Sequence, residues 1–178
     1  MPENKLLGAS ERSGYCGFVL VGRRTEHPRI QRVIDAYRTT RAPQQSDPLN
    51  RWLARLWAFL TAAPMRGVET LAMESTDADL SSIRAMVYAM AVAAGISVQT
   101  VPQQVINRTL GLPRLTIGLA RYRARRLAAD MHGGQRLCGP DGEIPPALAH
   151  ALLAAVVGAD CLYEQTKHNE ENGVIYGY

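Results

Sequence analysis

The chain has 178 residues, a length that fits one domain with a full hydrophobic core better than two independent domains. Hydrophobic residues make up 47% of it, an ordinary share for a globular protein, so disordered and fibrous classes are excluded. The net charge is +4, and only Lys5 and Lys167 among the 20 basic residues are lysine, which leaves 18 arginines. The planar guanidinium group of arginine suits phosphate recognition. A GC-rich genome also gives an excess of arginine over lysine, so the charge alone leaves contact with nucleic acid open.

The cysteines and the N-terminus predict a soluble cytoplasmic protein with no membrane partner. Cys16, Cys138 and Cys161 are an odd and scattered set, which fits reduced thiols better than a disulfide framework. The first residues, MPENKLLG, lack the charged and then apolar layout of a signal peptide. No apolar run approaches the roughly 18 residues that a membrane-spanning helix needs.

The first half of the chain predicts four strands and one helix. Residues 31–39 alternate well enough for a strand, although a helix fits them nearly as well. The helix of residues 49–63 is expected to have Asp47 as its cap and Pro48 in its first turn. The predicted strands of this half are residues 5–10, 16–24, 31–39 and 68–74.

The second half predicts one strand, residues 96–101, among four helices. The predicted helices are residues 79–94, 102–111, 113–131 and 145–165. A glycine-rich loop, residues 133–143, precedes the last helix. Residues 164–178 are expected to be a polar C-terminal tail that follows a single domain of residues 1–163.

This order of elements predicts an α/β fold, because strands that alternate with helices form a sheet covered by helices. Three leading antiparallel strands followed by helix-linked strands are the layout of the ribonuclease H-like fold. The prediction is therefore a mixed five-stranded sheet flanked by helices.

Four short motifs in the correct order resemble the RuvC family of bacterial Holliday-junction resolvases. The segment LLGASERSGYCGFVLV, residues 6–21, is similar to the family's first hairpin, roughly LGIDPGSxxTGYGVI, without a gap. LAME at 71–74 is similar to the second-motif strand, which also ends on glutamate. ISVQTVPQQVINRTLG at 96–111 resembles the family's strand and PxxV segment, and EIPPALAHAL at 143–152 lies where the family has its DxxDALAIA helix start.

The resemblance implies a nuclease centre that has lost part of its metal ligands. The family's enzymes hold two magnesium ions, and two hard cations need several carboxylate oxygens. The family's four metal-ligand positions can be matched to this chain by position. Ser10 stands at the family's first aspartate and Glu74 at its strand-end glutamate. Glu143 stands at its third carboxylate and Pro146 at its fourth. No cofactor is therefore expected; an active site would hold Mg²⁺ on Glu74 and Glu143. Four further side chains could replace the lost metal ligands: His150, Asp77, Asp79 and Asp141. For His150, a place in the core or at an interface is the simpler interpretation.

A row of basic residues offers a second kind of site. On the predicted helical segment RLTIGLARYRARRLAADMH, residues 114–132, Arg114, Arg121, Arg125 and His132 fall within about 20° of one line at 100° per residue. Such a stripe could follow a phosphate backbone, although a solvated helix face explains it equally well. Arg108 takes the place of the family's lysine after the PxxV segment and is a candidate phosphate contact.

The last helix is apolar on nearly every side, which predicts that it is buried. One face could pack on the sheet and the other on a second subunit. The resemblance implies a homodimer, and the last helix or the tail is the predicted surface for any protein partner.

Three functions remain open from the sequence. The favoured hypothesis is a RuvC-like protein whose nuclease centre is lost and which binds branched or duplex DNA or a protein. The second is an active Mg²⁺-dependent, structure-specific endonuclease with a rearranged site, built on Glu74, Glu143 and either Asp141 or His150, with Ser10 in a minor role. The third is an interaction module with no role in nucleic-acid binding.

Overall fold

The computed structural model describes residues 3–24, 29–75, 82–114 and 116–171, with side chains as far as His168. Five strands form one sheet in the order β3-β2-β1-β4-β5. The β1–β2 and β2–β3 pairs are antiparallel, and the β1–β4 and β4–β5 pairs are parallel. The strands are β1 (Glu3–Arg12), β2 (Tyr15–Arg24), β3 (Arg32–Arg38), β4 (Val68–Ser75) and β5 (Ser97–Pro102). The helices are α1 (Ser46–Ala62), α2 (Ser82–Ala93), α3 (Gln103–Leu110), α4 (Ile117–Ala129) and α5 (Pro146–Glu171).

The predicted mixed five-stranded sheet is confirmed, and residues 32–38 are a strand rather than a helix. Helices cover both faces of the sheet. On one face α1 and α2 enclose a core that includes Phe18, Leu56 and Leu71. On the other face α3, α4 and α5 enclose a second core that includes Val19 and Leu152.

A two-residue turn joins β1 to β2, with Arg12 paired to Tyr15 across it. Ser13 and Gly14 both have positive φ, 53° and 84°. Positive φ at both central residues defines a type I′ turn, whose twist matches that of an antiparallel hairpin. The turn fixes the register of the hairpin and thereby the place of Ser10 and Arg12 on one face of the sheet.

Helix α5 lies close to the sheet because the residues between them are small. A Cβ added to Gly8 would clash with the carbonyl oxygen of Ala151 and lie 2.7 Å from the Cβ of Ala155. A Cβ on Gly17 would overlap the backbone of Ala147 in the same way. This close approach brings the first turn of α5 against the ends of β1 and β2.

A second apolar face of α5 packs against α4 within the molecule. Ala120, Ala124 and Ala128 of α4 are buried in the same core as Leu152 and Leu153 of α5. The contact of this helix with another subunit stays a prediction. Of the described helices, α5 alone is long and apolar enough to cross a membrane, yet 67% of that stretch is buried in the protein, as expected for a core helix.

Several helix ends differ from the predicted ones. Helix α1 begins at Ser46 with Gln45 as its cap, so Asp47 lies inside the first turn and is not the cap. Helix α4 begins at Ile117, since the Thr116 hydroxyl accepts a hydrogen bond from the Leu119 amide and sets the start there. Helix α5 continues to Glu171, so residues 164–171 of the predicted tail are helical.

Candidate functional site at the strand ends

The centre of the candidate site is a buried carboxylate and a serine on neighbouring strands. In the parallel β1–β4 pair, Ala9 lies opposite Met73, so Ser10 and Glu74 follow at the same edge of the sheet. The Ser10 hydroxyl donates a hydrogen bond of 2.8 Å to Oε2 of Glu74. Glu74 is buried, with its side chain fully covered. The structure thus brings together two of the three residues that the sequence placed in a degraded nuclease centre.

An arginine occupies the other side of this carboxylate. Nη2 of Arg12 donates to Oε1 of Glu74 in an ion pair. The same nitrogen lies 2.7 Å from Nδ1 of His150, and Nη1 of Arg12 donates to the Glu11 carbonyl oxygen at 2.8 Å. The Arg12 side chain is 15% exposed, so its guanidinium closes the carboxylate off from solvent.

His150 completes the cluster from the first turns of α5. Its Nδ1 is 3.1 Å from Oε1 of Glu74, within reach of a hydrogen bond if Nδ1 carries the proton. An unprotonated Nδ1 instead accepts from Arg12, so the two bonds are alternatives. In both cases Nε2 is buried without a hydrogen-bond partner among the described residues. His150 is therefore part of the charged cluster at Glu74 as well as of the core.

The cluster keeps Glu74 ionised. Burial by itself raises the pKa of this carboxyl, because an ion is poorly solvated in the protein interior. The hydrogen bond and charge of His150, the charge of Arg12 and the hydrogen bond from Ser10 outweigh burial and bring the pKa below its usual value. The negative charge of Glu74 is thus stabilised by groups of the protein itself.

Glu143 has different partners. Its Oε2 accepts from Arg121 and its Oε1 accepts from Arg125, both at 2.9 Å. Arg121 also donates to the Ile144 carbonyl oxygen, and Asp141 accepts from the Glu143 amide. These bonds fasten the loop before α5 to α4.

Glu74 and Glu143 have separate partners in the structure, and a metal shared by the two carboxylates stays a prediction. Among the residues that the structure describes, no three His, Cys, Asp or Glu side chains lie close enough to hold a metal ion. Asp141, the proposed replacement ligand, instead supports the loop at Glu143. Asp77 and Asp79 lie outside the described residues.

The predicted arginine stripe is only partly formed. Arg114 precedes α4 and His132 follows it, so neither belongs to the helix. Arg121 and Arg125 share a face, but their guanidinium groups are bound to Glu143. Arg108 and Arg114 are exposed and, within the described part of the chain, have no acidic partner.

The residues at Glu74 do not fit a pair of magnesium ions. Mg²⁺ prefers near-octahedral oxygen ligands, and two ions need several carboxylates. Here one carboxylate is surrounded by a neutral hydroxyl, an imidazole and a guanidinium cation. The Arg12 charge, in direct contact with Glu74, opposes a second cation at the same oxygen.

Arg12 is the site residue that the sequence analysis missed. The signal was present, because residues two apart on a strand point to the same face and Arg12 follows Ser10 by two. Glu11, between them, points to the opposite face, where it approaches Arg84. Only the family's acidic positions were compared with this chain, so the basic residue that binds one of them, Arg12, was missed.

Comparison with solved structures identifies the fold. The chain is similar to Thermus thermophilus RuvC, solved in complex with a Holliday junction substrate, with a TM-score of 0.64 and 16% identity over 91% of this chain and 96% of that one. It is also similar to a fowlpox virus resolvase in complex with Holliday junction DNA, with a TM-score of 0.59 and 7% identity over 89% and 98% of the two chains. No protein-family model matches the sequence, and no curated protein matches it.

The strand order and these similarities define the chain as a protein of the ribonuclease H-like fold. Within that class it has the RuvC-like arrangement, which confirms the fold expected from the four sequence motifs. At such low identity the similarity concerns the fold, and the site must be judged on its own residues.

Proposed function

We propose that this protein binds DNA, branched or duplex, on its RuvC-like fold and does not cut it. Two structural neighbours that cover nearly the whole chain were solved with Holliday junctions, which supports DNA as the ligand. The net charge of +4 favours a polyanionic partner.

One observation supports the proposal that the protein does not cut DNA: the ion pair between Arg12 and Glu74. Phosphodiester hydrolysis by paired metal ions needs carboxylate oxygens that are free to coordinate them. The Glu74 oxygens are bound by Ser10 and Arg12, and Ser10 and Pro146 stand where the family has acids. The strand-end site therefore lacks the negative charge that would attract and hold the metal.

Arg108 and Arg114 are the proposed phosphate contacts. Both are exposed on the face of the sheet that carries α3, α4 and α5, and neither has an acidic partner among the described residues. Arg121 and Arg125 lie on the same side but are bound to Glu143 in the free protein. The phosphate contacts would position the DNA without reading its sequence.

Fluorescence anisotropy with a four-way junction and a matched duplex, at increasing salt, tests DNA binding. We expect the DNA affinity to fall steeply with salt. The double variant Arg108→Glu, Arg114→Glu should lower the slope of log K against log salt by about 2, because each phosphate contact contributes about 0.9. The matched control is Arg51→Glu, Arg55→Glu on α1, which makes the same charge change on the opposite face of the sheet. Absence of binding at low salt, or an equal effect of both variants, contradicts the proposal.

A cleavage assay tests the second half of the proposal. The protein is incubated with labelled junctions and Mg²⁺ or Mn²⁺, and we expect no incision. Paired incision that Glu74→Gln abolishes would establish the alternative, an active Holliday-junction endonuclease.

The homodimer implied by the resemblance remains part of the proposal, as does a cytoplasmic location. Helix α4 packs against part of α5, so a dimer contact through this helix would use the part that α4 leaves exposed, such as residues 164–168. Sedimentation velocity gives the native mass directly, and a monomer at micromolar concentration would exclude a stable dimer.

A further inference from the structure

The outer face of α4 carries an exposed tyrosine. Tyr122 is 61% exposed, which makes it the most exposed aromatic side chain in the described part of the chain. The inner face of this helix is fixed by Ala120, Ala124 and Ala128, which are buried in the core with α5. At 100° per residue, Tyr122 lies about 160° around the helix from the centre of these three alanines. Its side chain is therefore on the side of α4 that faces solvent.

The neighbours of Tyr122 on this outer face are small or basic. Arg125 and Arg126 follow it by three and four residues, positions whose Cβ atoms are about 5–6 Å away on a helix. Gly118 lies one turn before it, in the direction in which long helical side chains lean. Because glycine has no side chain, and nothing lies within 4 Å of a Cβ added to Gly118, this turn leaves room beside the ring.

The charges of α4 favour a polyanion over a protein as the partner of this face. Residues 117–129 include four arginines and no acidic residue. Arg125 is bound to Glu143, whereas Arg126 is exposed and has no acidic partner among the residues that the structure describes. An aromatic ring beside a cation is the combination with which proteins bind unpaired bases, since the ring stacks on the base and the cation contacts the phosphate.

We propose that Tyr122 is a stacking site for an unpaired DNA base and that Arg126 contacts the adjacent phosphate. This role rests on the proposed DNA binding and narrows the ligand to DNA that carries an unpaired base. In a continuous duplex both faces of an internal base are already stacked on its neighbours, so the tyrosine ring gains no such contact there. The site lies on α4, away from the strand ends that carry Glu74.

Fluorescence anisotropy with two DNAs tests this role: a continuous duplex, and the same duplex with one extra, unpaired adenine. We expect Tyr122→Ala to weaken binding of the bulged duplex about tenfold, the effect of losing one stacked base, and to change binding of the continuous duplex less than about twofold. Tyr122→Phe keeps the ring and should bind both DNAs as the wild type does. The control, Tyr88→Ala on α2, removes an exposed tyrosine from the opposite face of the sheet and should change neither affinity.

Replacing the unpaired adenine by 2-aminopurine adds a readout that a merely structural role of Tyr122 would not move. The fluorescence of this base falls when it stacks on an aromatic ring. At saturating protein we expect quenching by the wild type and by Tyr122→Phe, and none by Tyr122→Ala. Thermal unfolding of the variants should match that of the wild type, because the substituted side chain is exposed.

The possible failures separate this role from DNA binding itself. Three results would overturn the stacking role alone: an equal effect of Tyr122→Ala on the two DNAs, binding by Tyr122→Phe as weak as by Tyr122→Ala, or no quenching by the wild type. Absence of binding to both DNAs would overturn the proposed function and the stacking role together, and would favour a protein partner for this face of α4.

Discussion

At the scale of single residues, the pKa of Glu74 has a measurable consequence for stability. In the folded protein this pKa is lower than its usual value of about 4.3, because His150, Arg12 and Ser10 outweigh the effect of burial. A lowered folded-state pKa contributes stability at pH values above the unfolded pKa. That contribution is lost as the pH falls through the folded-state pKa.

We therefore predict that the wild type loses stability below about pH 4 more steeply than Glu74→Gln. The glutamine variant has no carboxyl at this position and lacks this part of the acid transition. Urea unfolding from pH 6 to pH 3 measures the free energy of unfolding of both proteins. A difference between them that stays constant over this range would show that Glu74 does not titrate with folding.

At the scale of elements, the contact between α5 and the sheet decides the geometry of the site. Gly8 of β1 lies under Ala151 and Ala155, and Gly17 of β2 lies under Ala147. His150 belongs to the same helical turns, so the closeness of the helix brings its ring to Glu74. Larger residues in β1 or β2 would lift α5 and separate the cluster.

We predict that Gly8→Ala lowers the free energy of unfolding by about 3 kcal/mol, because the added methyl group meets helix backbone that cannot move alone. Gly118→Ala in α4 is the matched control. Nothing lies within 4 Å of the added methyl group there, and alanine favours a helix, so this variant should be neutral or slightly more stable. Chemical denaturation of the two variants measures the difference, and equal effects would contradict the close packing of α5 on β1.

At the scale of the whole molecule, the charge available to a polyanion depends on which arginines are already paired. Arg121 and Arg125 together bind one carboxylate, that of Glu143, whose two oxygens each accept one hydrogen bond. Two oxygens of a phosphate can accept the same pair of donors. In the free protein the Glu143 carboxylate therefore occupies the position between the two arginines at which a DNA phosphate could bind.

If the protein binds DNA, we predict that Glu143→Gln raises the affinity several-fold at low salt and steepens the salt slope by about 1 to 2, since each released arginine can contact a phosphate. The control, Glu69→Gln, removes the same charge from an exposed position near the start of β4. Anisotropy titrations compare the two variants. Equal changes in both would mean that only net charge matters and that the arginine pair has no special role.

The fold was predictable from the sequence to a large extent, whereas the site was predictable only in part. Alternation in the strands and the order of elements are local signals, and the mixed five-stranded sheet followed from them. The parallel pairing of β1 with β4, which places Ser10 beside Glu74, is seen only in the structure. The start of α4 was placed too early, at residue 113, because the capping role of Thr116 was not considered. The partners of Arg12 and Glu143 were missed because they lie far away in sequence, and only tertiary structure brings such groups together.

Helix α5 lies late in the chain and yet contacts every strand of the sheet. During synthesis, a chain completed only as far as Pro145 can pair its strands, but it leaves one apolar face of the sheet exposed to solvent. Proteins emerge from the ribosome N-terminus first. The nascent chain is therefore expected to depend on chaperones until residues 146–163 have left the exit tunnel, and a stop codon before them would give an aggregating fragment.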